Sequence, residues 1–237
     1  MKDDKKFDMN CLNRILLCVV VLLGHLVSSG QEAEYDTTFH NNYYDMRQDI
    51  YDAMPDRKGE IVFLGNSITE RVNWSELLEN DKIINRGIGG DICWGVYDRL
   101  NEVLASKPKM IFLLIGINDI GRKIPTEVIS EKYEEIIQKI KTDSPHTKLI
   151  LQTILPMNED MIWYSYMKGK SAKIIEMNVQ IEELAEKYDL SCIDLYKAFA
   201  DADGKLPKDF TIDGLHLNGK GYLYWAEVLH NSGIKLK

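Results

Sequence analysis

Apolar residues fall along this chain in short runs separated by stretches of helical period, and that alternation predicts the fold. Ile61 to Leu64, "IVFL", is β-branched and aromatic enough for a short buried strand. "MIFLLIG" at Met110–Gly116, "LILQTILP" at Leu149–Pro156 and "LSCIDLY" at Leu190–Tyr196 read the same way, with "KIINRG" at Lys82–Gly87 as a further strand. Between them, Val96–Ala105 places apolar residues at 96, 97, 100, 103 and 104, a 3.6-residue period. Val128–Ile140 repeats them at 129, 133, 136, 137 and 140, and Pro145 marks the exit. Ser171–Tyr188 is long and amphipathic, and Lys220–His230 closes the chain. Strands alternating with helices predict crossover connections and a parallel sheet covered on both faces.

The first thirty residues break this pattern. Ile15–Val27, "ILLCVVVLLGHLV", carries no acid or strong base, follows Arg14 and precedes Ser28, Ser29 and Gly30. That succession predicts a secretory signal peptide at 1–30, with an uncleaved anchor as the rival. At 13 residues the run is short for a bilayer span of about 20. Gln31–Lys58 is polar and tyrosine-rich, a loop and short helix ahead of the first core strand. The remainder, 31–237, has the length of one domain and contains no repeat or Pro/Gly/Ser linker.

Composition narrows the function classes. The 237-residue chain has a formal charge of −8. Removing residues 1–30 takes away four bases and three acids, so the body carries −9. Nucleic acid and anionic membrane surfaces are poor partners for it. Cys93 and Cys192 are its two cysteines, too few for a disulfide scaffold and without CxxC or His/Cys spacing for zinc. A bridge between them and two buried thiols both remain open.

Polar residues gather where the predicted strands end. Ser67 lies in "GNSITE", Gly90 in "RGIGGDICWG", Asn118 in "GINDIG", and Asp213 and His216 in "DGLHLNGKGY". In open α/β sheets ligands bind at the strands' C-terminal ends. Ser67 there is either a nucleophile or the N-cap of the next helix. "GIGGDI" lacks the spacing of a dinucleotide fingerprint, and no P-loop occurs. Serine hydrolysis needs a hydroxyl, a base, a carboxylate that orients the base, and N–H donors for the oxyanion. Asp213 and His216 three apart on a tight turn can orient the imidazole locally. The backbone N–H groups of Ser67 and Gly90 and the Asn118 amide offer three oxyanion donors.

The ordered set "GNS", "GIGGD", "GIND" and "DGLH" resembles the SGNH (GDSL-type) hydrolases over about Gly59–Leu229. The resemblance implies a flavodoxin-like three-layer α/β/α sandwich, no metal or organic cofactor, a Ser67–His216–Asp213 triad, and an oxyanion hole completed by Gly90 and Asn118. The α/β-hydrolase elbow G-x-S-x-G fits less well, because Thr69 replaces its second glycine. One departure is Asn66, where the family usually has aspartate before the serine.

The detailed wording of the blocks is similar to bacterial members with carbohydrate O-acetylesterase or platelet-activating-factor acetylhydrolase-like assignments. This implies a secreted or periplasmic enzyme acting on a small-molecule or glycan ester. Alternatives are a lysophospholipase, thioesterase or arylesterase, or a glycan-binding relic. Asn66, Arg71, Trp94, Trp163 and Tyr164 are the expected substrate contacts, with Trp74 beside Trp94 shaping a small acyl pocket and Tyr166 beside Tyr164. Asp119 is expected to brace the Asn118 loop. An anionic sugar would need a base such as Arg71, Arg86 or Lys168.

Overall fold

The computed structural model describes residues 35–236, so the expected signal peptide lies outside the described residues. Five strands form one parallel sheet: β1 Ile61–Gly65, β2 Ile83–Gly87, β3 Met110–Leu114, β4 Lys148–Gln152 and β5 Ser191–Ile193. Their order, β2-β1-β3-β4-β5, is the flavodoxin-like doubly wound arrangement. β1 and β3 are buried along their whole length, as strands sandwiched between helix layers must be.

One face is covered by helices that pack in series. α4 (Cys93–Asp98) and α5 (Leu100–Ala105) meet α7 (Thr126–Asp143), which meets α8 (Ser171–Tyr188). α7 buries Ile129, Tyr133, Ile136, Ile137 and Ile140, the stripe its period predicts. On the other face the Phe63 ring stacks between Trp74 at 4.1 Å and Phe112 at 4.7 Å, and Trp225 of α10 (Gly219–Asn231) meets Trp74 edge-on at 4.8 Å. Trp74 is 1% exposed. It is core, and it does not shape an acyl pocket.

Register decides where the chemistry emerges. Gly65 pairs with Gly87 on one side and Leu114 on the other, so β1, β2 and β3 finish in one row. The segments carrying Ser67, Gly90 and Asn118 therefore leave the sheet side by side.

Two features differ from the sequence pattern, the strand ends and the stretch 96–105, while the helix expected in the tyrosine-rich segment is present. β3, β4 and β5 end two to four residues before their apolar runs do, because the chain turns out of the sheet while staying buried. Thr153, for example, donates its N–H to the Ile193 carbonyl, and Ile154 donates to Asn178 Oδ1. The periodic stretch 96–105 is two helices broken at Arg99, whose guanidinium bonds the carbonyls of Gly65 and Arg86. The tyrosine-rich segment contains an 11-residue helix, α1 (Asn42–Asp52). Among the described residues no helix is long and apolar enough to cross a membrane, no group of side chains could hold a metal ion, and Cys93 and Cys192 are free thiols.

Candidate active site

Ser67 is the first residue of α2 (Ser67–Glu70), directly after β1. The capping role that sequence left open for it belongs to Asn66, whose Oδ1 accepts the Ile68 N–H at 3.0 Å. That leaves the serine hydroxyl unengaged by the helix, and it meets His216 Nε2 at 3.0 Å across 149 residues of sequence. Asn66 is 1% exposed. It holds the turn from within and does not face a substrate, and its Nδ2 has no hydrogen-bond partner among the described residues.

His216 and Asp213 share the turn before α10. His216 Nδ1 lies 2.6 Å from Asp213 Oδ2, while Asp213 Oδ1 accepts the N–H groups of Leu215 (3.0 Å) and His216 (2.8 Å). Gly214 makes the turn possible. Its φ is +87°, and a Cβ there would sit 2.4 Å from the Asn158 carbonyl oxygen.

Burial pushes the Asp213 carboxyl up, but hydrogen bonds from His216 and Leu215 outweigh it and hold the group below its ordinary value. For His216, burial drives the pKa down. Asp213 opposes that and the Arg71 cation adds to it, so the ring stays below 6.5. This shift favours the unprotonated imidazole, and the 2.6 Å contact suits the tautomer that gives Nδ1–H to Asp213 and leaves Nε2 facing the Ser67 hydroxyl.

Ser67, Gly90 and Asn118, the three expected donors, line the same space. Gly90 has φ +80°, which turns its amide within the "GIGGD" loop, and this N–H and that of Ser67 have no acceptor among the described residues. Gly89 brings the loop against Ser67, since a Cβ there would lie 3.9 Å from Ser67 Cβ. Asn118, in α6 (Ile117–Gly121), spends one amide hydrogen on the Asp91 carbonyl at 2.9 Å, leaving the other for a ligand.

Behind the loop, Asp91 and Arg99 form an ion pair at 2.9 Å with both side chains fully buried. Arg99 also bonds the Arg86 carbonyl at 2.8 Å and the Gly65 carbonyl at 3.0 Å, tying the ends of β1 and β2 to the Gly90 loop. Asp119 accepts the Cys93 N–H at 2.9 Å, and burial pushes its carboxyl up to about 7. It thus links the Asn118 and Gly90 loops.

Ser67, Gly89, Gly90, Asn118 and His216 line one cavity of about 740 Å³. Arg71, Tyr164 and Tyr166 complete part of its wall, and Tyr43, Arg47 and Glu70 another part. Glu70 accepts the Tyr43 hydroxyl at 2.6 Å and pairs with Arg47 Nε at 3.2 Å. The α1 contribution has no signal in sequence, because nothing in a tyrosine-rich lead segment says which helix face folds back over a strand end.

Besides Asn66, two of the expected substrate contacts lie outside the cavity wall. Trp94 lies against Lys132, whose Nζ is 5.5 Å from the ring centroid. Trp163 is 75% exposed and outside the cavity wall. Of the three bases considered for an anionic sugar, Arg71 reaches the cavity. Arg86 is buried in a 2.8 Å pair with Glu102, and Lys168 is exposed away from the wall.

The sequence profile of the GDSL-like lipase/acylhydrolase family matches residues 63–223. The chain is 30% identical over 188 residues to platelet-activating factor acetylhydrolase IB subunit alpha2 of Rattus norvegicus, covering 76% of this chain and 79% of the relative. A structure from Streptococcus pneumonia named for platelet activating factor superposes with a TM-score of 0.74 at 30% identity, covering 91% of this chain and 98% of that one. An acetyl xylan esterase structure, AlAXEase, gives 0.62 at 25% identity, covering 74% and 100%.

Proposed function

The chain belongs to the GDSL-like lipase/acylhydrolase family and is a serine ester hydrolase; from that premise we propose an exported enzyme that removes short acyl groups, chiefly acetyl, from carbohydrate esters. The observation that carries the reading is the 3.0 Å contact between Ser67 Oγ and His216 Nε2, backed by Asp213 at 2.6 Å.

In this reaction Ser67 Oγ attacks the acyl carbonyl while His216 Nε2 takes its proton. The carbonyl oxygen becomes an oxyanion held by the N–H groups of Ser67 and Gly90 and by the Asn118 amide. Collapse breaks the bond to the sugar oxygen, which takes the proton from His216 and departs as a hydroxyl, leaving the acyl group on Ser67. Water, deprotonated by the same imidazole, attacks this ester, and the imidazolium returns its proton to Ser67 Oγ as the acid is released. Asn118→Ala is expected to lower kcat on p-nitrophenyl acetate about 10²–10³-fold with little change in KM, the loss typical of one oxyanion donor.

The cavity wall supports the preference for a short acyl group. Arg47, Glu70, Arg71 and three tyrosines line it, so a long alkyl chain would bury little apolar surface and strip water from polar groups. The relatives named for acetyl removal support the same choice. Arg71, which has no ion-pair partner among the described residues, is the base suited to an acidic sugar such as a sialate. The apolar Ile15–Val27 run supports export.

A p-nitrophenyl ester series tests the chain length. Acetate should turn over at least tenfold faster than octanoate, and acetate should be released from O-acetylated glycans. Faster cleavage of the longer ester would favour the lysophospholipase or thioesterase reading.

A further inference from the structure

We infer that Tyr164 is a positioning residue for the triad acid, its hydroxyl sharing Asp213 Oδ2 with His216 and thereby limiting the negative charge presented to the imidazole. The inference rests on the triad reading above.

The Asp213 carboxylate has four donors. Oδ1 takes two backbone N–H groups of its own turn, while Oδ2 takes His216 Nδ1 and the Tyr164 hydroxyl at 2.9 Å. The two backbone bonds already fix the carboxylate plane, so the tyrosine bond is not required to hold the geometry. What it changes is charge. An O–H donated to Oδ2 stabilises the carboxylate and draws electron density from the oxygen that meets Nδ1–H.

Tyr164 is held for this by contacts that do not involve its hydroxyl. Its loop begins at Asn158, whose N–H donates to the Gly214 carbonyl at 2.7 Å, and closes where Glu159 accepts the N–H groups of Gly169 (2.7 Å) and Ser171 (3.1 Å). The Tyr164 ring stands edge-on to the His216 ring at 6.2 Å. Charged and titratable groups face His216 from three elements: Asp213 from its own turn, Arg71 from the end of α2, and Tyr164 from this loop. Tyr166, on the same loop, faces Asp213.

Removing the hydroxyl leaves the full carboxylate charge to His216, stabilises the imidazolium, and raises the pH at which the base deprotonates. Tyr164→Phe is therefore expected to move the acid limb of kcat/KM for p-nitrophenyl acetate upward by about half a unit to one unit, a fraction of the effect of one lost hydrogen bond to a charged group, since the bond is lost from Asp213 and felt by His216 only through it. A limb unmoved in the Phe variant overturns the inference, because a tyrosine that merely packs or stacks on a sugar would leave the limb in place.

Histidine ¹⁵N titration of the resting proteins makes the same comparison without turnover. A raised His216 midpoint in Tyr164→Phe, in a protein with no esterase activity, would keep the Tyr164 role and sink the hydrolase reading. An unshifted midpoint with esterase activity intact would do the reverse.

Discussion

Ser67→Ala and His216→Ala are each expected to lower kcat on p-nitrophenyl acetate by about 10⁴–10⁶-fold, and the double variant by no more than either alone. The non-additivity follows from geometry. Ser67 Oγ and His216 Nε2 are 3.0 Å apart and act on one proton, so deleting either ends the same transfer. The residual rate over water is what the oxyanion donors and binding alone supply. In Ser67→Ala thermal unfolding should change little, because Ser67 is half-buried at the cavity rim and Asn66 rather than Ser67 caps α2. Activity within tenfold of wild type in either variant would mean that the contact is not the catalytic one.

Arg99→Ala is expected to cost about 3–5 kcal/mol of stability, the range for breaking a buried ion pair by removing one partner. It leaves Asp91 buried without its cation and strips a donor from the carbonyls of Gly65 and Arg86. The cost should depend on pH in a known direction. Burial already pushes the Asp91 carboxyl up to about 6 against the pull of Arg99, and without Arg99 it rises further. A carboxyl raised in the folded state contributes stability below its ordinary 3.8 and loses it as pH climbs through the raised value. Urea midpoints should therefore separate wild type from variant more at pH 8 than at pH 5. Equal separation at both would show that removing Arg99 does not shift the Asp91 titration across this range.

The same residue shows where sequence stops being informative. Apolar runs announced β1, β3 and β4, since an inner strand buried on both faces needs a run of that kind, whereas the edge strands β2 and β5 are only partly buried and carry a shorter apolar signal. The break at Arg99 was not legible, because its cause is a side chain reaching two carbonyls on other strands. Ser67, Gly90, Asn118, Asp213 and His216 could be chosen from sequence because each block sits at a strand end or on one tight turn, and register then gathers them. Trp74 and Trp94 drew attention by lying next to those blocks. Their neighbours are Phe63 and Lys132 respectively, and neither pairing leaves a local pattern. Tyr164 was legible as a residue near the site, but its bond to Asp213 depends on how a long irregular loop closes. The wall from α1 was out of reach for the same reason.

The most direct test of the central claim, a Ser67 hydroxyl activated by His216, is intact-mass analysis after exposure to a fluorophosphonate, followed by peptide mapping. The account expects one adduct, on the Ser67 peptide, which Ser67→Ala abolishes and His216→Ala greatly slows. A single adduct at another serine, or Ser67 labelling at an unchanged rate without His216, would contradict it.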